Sequence, residues 1–363
     1  MNRNKFGHYK SGGKITYSKL EAFEWGYPEW NFNDELFSVL DWTKEPKLSL
    51  WELYKQRARQ IRESYDYVVL WYSGGSDSHN LLKAWIEADC KIDEIAATWN
   101  YETTGDYQNH QNAEITNVVL PEIKQMKNDG LNFKFRLIDI PKVGLKILNK
   151  FPTDFEYYFN YNFQLSSIGK QFLREEITDY SSLINKGKKV AFVWGKEKPY
   201  LFFEDNKFNF RFVDSVDDCV GPYSQNNQNQ GWYDELFYWT PDTPELPIKM
   251  AHVIKNFLRI SSDTLCFNDK PYLNYDAGYS PILHKHLKIE VLKTLLYPKW
   301  NNDIFCNGKS PSRILGLRDN WVSNIEEQQR QKLKSAIINY ISKTEQKDLI
   351  SLRPIFSRKY WLE

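Results

Sequence analysis

The sequence predicts an α/β protein: a doubly wound parallel sheet, with an aromatic N-terminal arm before it and a mostly helical C-terminal region after it. Three observations lead there. Tyr67 to Tyr72 (YVVLWY) is a run of β-branched and aromatic residues, the composition of a strand buried on both faces. Leu81, Leu82, Ala84, Trp85 and Ala88 then recur at helical spacing, with Asn80, Lys83 and Glu87 opposite. Strand-like stretches at Ile92 to Trp99 and Phe133 to Ile140 flank a helical pattern at Asn112 to Lys127, the alternation of parallel strands joined by crossover helices.

The chain divides into an arm and helix (1–63), a nucleotide-binding domain (64–215) and the C-terminal region (216–363). Residues 1–48 hold Tyr17, Phe23, Trp25, Tyr27, Trp30, Phe32, Phe37 and Trp42, too aromatic for a free tail and broken by Gly26, Pro28 and Pro46, so they read as an irregular arm wrapped on the body. Its SGGK at Ser11 to Lys14 follows no hydrophobic strand and reads as a flexible turn. Ser49 with Glu52 forms a capping box, opening a helix to Glu63 whose Leu50, Leu53, Tyr54, Ala58 and Ile61 form one stripe; Arg57, Arg59 and Arg62 read as its solvated face. Pro121 marks a kink or break in the helix at 112–127. Leu165 to Tyr180 is helical in pattern, and Lys189 to Trp194 (KVAFVW) is a fourth buried strand, followed by Gly195, Lys196, Glu197 and Lys198. Residues 204–231 are polar: Asp214, Asp217 and Asp218 read as a surface loop before a second magnesium site, and SQNNQNQG as a mobile loop. Leu246 to Ile260, Tyr279 to Tyr297, Ser323 to Thr344 and the aromatic end Phe356 to Trp361 complete the helical C-terminal region.

Composition removes several classes. With 41% hydrophobic residues among 363 the chain can bury a large core, and 48 basic against 47 acidic residues exclude a surface that is basic throughout. No run of eighteen apolar residues exists and the N-terminus lacks the apolar core of a signal peptide, so the expectation is a cytoplasmic protein without a membrane segment. Cys90, Cys219, Cys266 and Cys306 are far apart, with no C-x-x-C pair to carry electrons, sulfur or zinc.

The chemistry concentrates between the first strand and its helix, at Ser73, Gly74, Gly75, Ser76, Asp77 and Ser78. Two adjacent glycines permit the sharp turn and let main-chain N–H groups approach an anion, while the first turn of the helix points its unpaired N–H groups at the same place. A phosphate suits this position, with the serine hydroxyls as further donors. Asp77 would repel a bare phosphate, so the loop calls for Mg2+ between them. The competing reading is an ordinary strand-to-helix turn with a Ser/Asp cap.

SGGSDS after a hydrophobic strand resembles the PP-loop of the ATP pyrophosphatase superfamily, which includes NAD synthetase, the synthetase domain of asparagine synthetase, GMP synthetase, tRNA-lysidine synthetase and the sulfate-nucleotide reductases. No GKS or GKT follows the glycines, so the loop is not a Walker A loop. The resemblance implies a HUP-like domain that binds ATP by its pyrophosphate end and cleaves it between the α and β phosphates. An acceptor (a small molecule, a nucleobase or a tRNA) would be adenylated and then attacked by a nucleophile. The resemblance further implies adenine near Trp99, Asn100 and Tyr101, and Lys196 and Lys198 as the cations that stabilise departing pyrophosphate. A non-catalytic ATP-binding protein would need the same loop, and a reductase or sulfur-transfer enzyme ranks lower for want of paired thiols.

Overall fold

The computed structural model describes residues 6–17, 19–99, 112, 114–139, 142, 178–196, 199–214, 231–260, 289–300, 326–328, 331, 335 and 355–363. The arm carries more regular structure than its composition announces. β1 (His8–Ser11), β2 (Lys14–Thr16) and β3 (Glu29–Asn31) form an antiparallel sheet in the order β2-β1-β3, beside the short helices α1 (Lys19–Glu24) and α2 (Asp34–Phe37). SGGK is the tight turn of its hairpin. Gly12 and Gly13 take φ of 54° and 75°, and two successive positive φ values match the twist of paired strands.

α3 (Leu50–Ser64) opens on the capping box, Ser49 accepting from the Glu52 amide and Glu52 from the Ser49 amide. Its arginine face is not wholly solvated, as the charge pattern suggested. Arg57 is 1% exposed and donates to Glu235 at 2.7 Å and to the Leu236 carbonyl at 3.0 Å. Its neighbours on the stripe pull it inward, and a buried carboxylate offsets the loss of water.

The central sheet joins β4 (Tyr67–Trp71), β5 (Glu94–Trp99), β6 (Lys134–Asp139), β7 (Val190–Trp194) and, beyond the hairpin of β8 (Tyr200–Glu204) and β9 (Lys207–Arg211), β10 (Trp232–Leu236). All neighbours are parallel and the order is β10-β7-β4-β5-β6. β5 and β6 lie to one side of β4 and β7 and β10 to the other, so the order reverses between β4 and β7. Every residue of β7 is buried, as a strand covered on both faces requires. β10 comes from beyond residue 215, so the sheet extends past the span 64–215 read from the sequence.

α4 (Ser76–Glu87) leads from β4 toward β5. Between β5 and β6 a π-helical turn at Ile115–Val119 passes into α5 (Leu120–Asn128), with Pro121 in the first turn of α5, where a missing N–H leaves no gap in the α-helical ladder. α6 (Thr178–Asn185) precedes β7, and α7 (Glu245–Ile260) and α8 (Ile289–Leu296) follow β10. Most of the helix read at 165–180 lies outside the described residues, as does most of 323–344. The aromatic end is not helical. β11 (Tyr360–Trp361) pairs antiparallel with β9, since Tyr360 stacks on Trp42 at 4.6 Å and the edge of β9 offers unpaired backbone groups.

Asp214 is a buried junction rather than part of a surface metal cluster. It accepts from Lys19 Nζ at 2.7 Å, Tyr9 Oη at 2.9 Å and the Ile355 amide at 3.0 Å, joining arm, hairpin and C-terminus. Asp217 and Asp218 lie outside the described residues. Lys19 and Asp214 are each 3% exposed, so Asp214→Ala strands a buried ammonium and is expected to lower the unfolding free energy by about 3–5 kcal/mol in urea titration. An unchanged midpoint would show that the ammonium reaches water.

Candidate functional site

β4 and β7 end side by side, and the chain beyond each turns into one cleft. Trp71 and Trp194, their last residues, stack at 4.7 Å with 11° between the rings. With Tyr72, Ala96, Ala97 and Thr98 they form a largely apolar wall, and Ser73, Ser78, Gly195 and Lys196 form the polar one. Clefts at the carboxyl ends of parallel strands, where the strand order reverses, are where such sheets hold ligands. Trp194 Nε1 donates to Asp234 at 2.9 Å, whereas the buried Trp71 Nε1 has no hydrogen-bond partner among the described residues.

The two glycines of the loop do different work. Gly74 takes φ of 78°, and a Cβ there would meet the Glu114 carbonyl at 3.0 Å and Val119 Cγ2 at 3.1 Å, so the turn is pressed against the π-helical segment. Gly75 is the N-cap of α4 with φ of −79°, and a Cβ there would touch only Ser73 Oγ at 3.4 Å. The turn therefore needs Gly74, while Gly75 leaves the main chain open in front of the helix.

The hydroxyls chiefly brace the loop. Ser78 Oγ accepts from the Ser73 amide at 3.2 Å, lies 3.1 Å from Ser73 Oγ and donates to the Gly75 carbonyl at 3.1 Å. Ser76 is 3% exposed and absent from the cleft wall. The N-cap of α4, Gly75, brings no side-chain cap to its first turn. Gly195 presses on that turn from the other side: a Cβ on it would lie 3.1 Å from both Asp77 C and Ser78 N, so only glycine brings the end of β7 this close.

Asp77 does not line the cleft. Its Oδ1 accepts from Tyr297 Oη, and its carbonyl accepts from Tyr238 Oη at 2.6 Å. Burial, and after it the Asp77 charge, hold the hydroxyls of Tyr54 and Tyr297 protonated well beyond the usual tyrosine range. Behind the loop His79 Nδ1 lies 3.0 Å from Tyr72 Oη, and burial lowers its pKa to about 4, so it stays neutral near pH 7.

Of the other residues singled out from sequence, Lys196 reaches the cleft, and Trp99 ends β5 without lining it. Asn100, Tyr101, Lys198 and His110 lie outside the described residues, as do Cys219, Cys266 and Cys306; Cys90 is a half-buried free thiol. Sequence reasoning missed Tyr238 and Tyr297, for which no local signal exists. It also passed over the Trp71/Trp194 pair, although both strands visibly end in tryptophan. Among the described residues no group of three or more His, Cys, Asp or Glu side chains is placed to hold a metal ion. A magnesium ion arriving on phosphates needs one or two carboxylates from the protein, but the described cleft wall holds none and Asp77 turns Oδ1 to Tyr297, so the described residues do not fit the metal role expected of Asp77 from the sequence.

The distinct roles of the glycines are separable by stability. Gly74→Ala is expected to cost at least about 1–2 kcal/mol from the left-handed conformation alone, and Gly75→Ala well under that, both read from urea unfolding. Equal costs would place the strain elsewhere.

No family model matches the chain, and no curated protein matches it. Among solved structures, the NH3-dependent NAD synthetase from Campylobacter jejuni subsp. jejuni NCTC 11168, in complex with the nitrate ion, is similar at 13% identity over 74% of this chain and 97% of that chain, with a TM-score of 0.31. At that score the likeness carries no argument about ligand or reaction.

Proposed function

We propose that the protein binds ATP in the cleft between β4 and β7 and cleaves it to AMP and pyrophosphate, activating an acceptor for ligation or amidation. The observation that carries this reading is the position of SGGSDS: at the point where the strand order reverses, with Gly75 as the N-cap of α4 and Lys196 lining the cleft beside Ser73 and Ser78. Main-chain donors at a helix start favour phosphate oxygens. The stacked Trp71 and Trp194 offer a flat apolar wall for the base.

In this reading each part of the chain has one task. The amides of 75–78 hold the β and γ phosphates, and Ser73 and Ser78 keep the loop in its bound shape without rearrangement. Lys196, joined by Lys198 from outside the described residues, neutralises charge that develops as the bond between the α and β phosphates breaks. The acceptor belongs to the class of small molecules, nucleobases or tRNA.

Incubation with α-labelled ATP, Mg2+ and candidate acceptors tests the reaction: AMP with pyrophosphate supports it, ADP contradicts it, and bound ATP without turnover returns the non-catalytic reading. Gly75→Val is expected to abolish ATP binding in calorimetry while the fold persists, because a branched side chain fills the space before the helix start. Lys196→Ala is expected to slow turnover by about a hundredfold or more with ATP affinity nearly intact. A loss confined to affinity would make Lys196 a ground-state anchor.

A further inference from the structure

We infer that Tyr297 holds the Asp77 carboxylate out of the cleft, so that the cleft takes the free phosphate chain of its ligand at least as well as the magnesium complex. The inference rests on the ATP reading above and names the charge state of the ligand that the site binds. A carboxylate beside phosphates calls for a metal between them, and SGGSDS contains one carboxylate. That carboxylate is committed elsewhere. Tyr297, just beyond α8 and fully buried, donates its hydroxyl proton to Asp77 Oδ1 across 220 residues of sequence.

The surrounding contacts keep the commitment in place. Tyr238 donates to the Asp77 carbonyl at 2.6 Å and accepts from Asn80 Nδ2 at 3.1 Å. The Tyr297 ring lies against Tyr238 at 5.7 Å, and Tyr54 of α3 donates to the carbonyl of Leu296, the residue before Tyr297, at 2.7 Å. Backbone and carboxylate of Asp77 are thus both held by tyrosines, and the residue is absent from the cleft walls. Asp234, the acceptor of the Trp194 indole N–H, is fully buried and also absent from them.

What the described walls present is a set of donors. Among the described lining residues the one charged side chain is Lys196, which is positive. Main-chain N–H groups at the start of α4 favour phosphate oxygens. Trp71 gives an independent observation: it is 8% exposed and lines the cleft, and its Nε1 has no hydrogen-bond partner among the described residues. A buried donor of this kind suits a ligand rich in acceptors. A phosphate chain is such a ligand, and its charge is largest without a metal. A bound magnesium ion neutralises part of that charge, occupies oxygens that the donors would take, and sheds its waters reluctantly. Released from Tyr297, Asp77 would instead set a second negative charge beside the phosphates.

The test is calorimetry of ATP and of inorganic pyrophosphate on the full chain, each in EDTA and in excess Mg2+, repeated with Tyr297→Phe alone and combined with Asp77→Asn. Tyr297→Phe keeps the buried ring and removes only the hydroxyl. The unmodified chain is expected to bind both anions in EDTA at least as tightly as in Mg2+. Tyr297→Phe is expected to weaken binding in EDTA by about tenfold or more, the effect of a like charge brought beside the ligand, and adding Asp77→Asn is expected to restore it. Binding that needs Mg2+ overturns the inference and leaves the ATP reading standing. A loss on Tyr297→Phe that persists when Asp77→Asn is added makes Tyr297 a packing residue, and no loss at all shows that Asp77 stays off the phosphates unaided; either result overturns the inference. Should Tyr297→Phe fail to fold, the comparison of EDTA with Mg2+ on the unmodified chain decides by itself. Absence of binding in both conditions sinks the ATP reading and this inference with it.

Discussion

Gly74 holds φ at 78° with the Glu114 carbonyl and Val119 pressed against the position a Cβ would take, and the geometry of the cleft follows from that backbone state. It turns the chain from β4 into α4 within four residues, so the helix start faces the carboxyl ends of the strands. The π-helical turn at Ile115–Val119 is the other half of the constraint. Its wider winding brings Glu114, Val118 and Val119 against the turn, where Pro121 blocks an α-helical ladder from running straight back. On the far side Gly195 lets the end of β7 touch the same helix turn, so the loop is set between two close backbone approaches.

The parts outside the sheet are joined to it by a few buried polar contacts set in aromatic packing. Trp42 stacks on Tyr360 and on Phe210 at 4.6 and 5.0 Å, so arm, C-terminus and hairpin share one aromatic layer. Aromatic contact supplies area but tolerates sliding. Directional contacts remove that freedom: Asp214 ties Tyr9, Lys19 and Ile355 at one point, and Arg57 ties α3 to Glu235 at another. The tyrosines at 238 and 297 extend the same logic to the loop.

Much of the sheet was legible in the chain because its signals are local. A buried parallel strand needs apolar residues on both faces, so YVVLW, EIAATW and VAFVW announce themselves, and the turn chemistry of SGGSDS needs no distant partner to be read. β10 was harder. WYDEL carries Asp234 and Glu235, which look like surface residues until Trp194 and Arg57 are found beside them. A charge buried in a pair across 178 residues has no sequence signature.

By itself, then, the sequence determined the strand, turn and helix around Gly74, the buried strands beside them and the polar character of the loop, because each depends on side-chain pattern and backbone freedom within about a dozen residues. Only the tertiary structure decided that β4 and β7 are neighbours, that Trp71 and Trp194 make one wall, and that Phe356 to Trp361 ends on a strand rather than a helix. It also decided that Asp77 meets Tyr297. Such pairings depend on where the chain returns after long excursions, and the free energy that selects them comes from contacts that exist only once the excursion is closed.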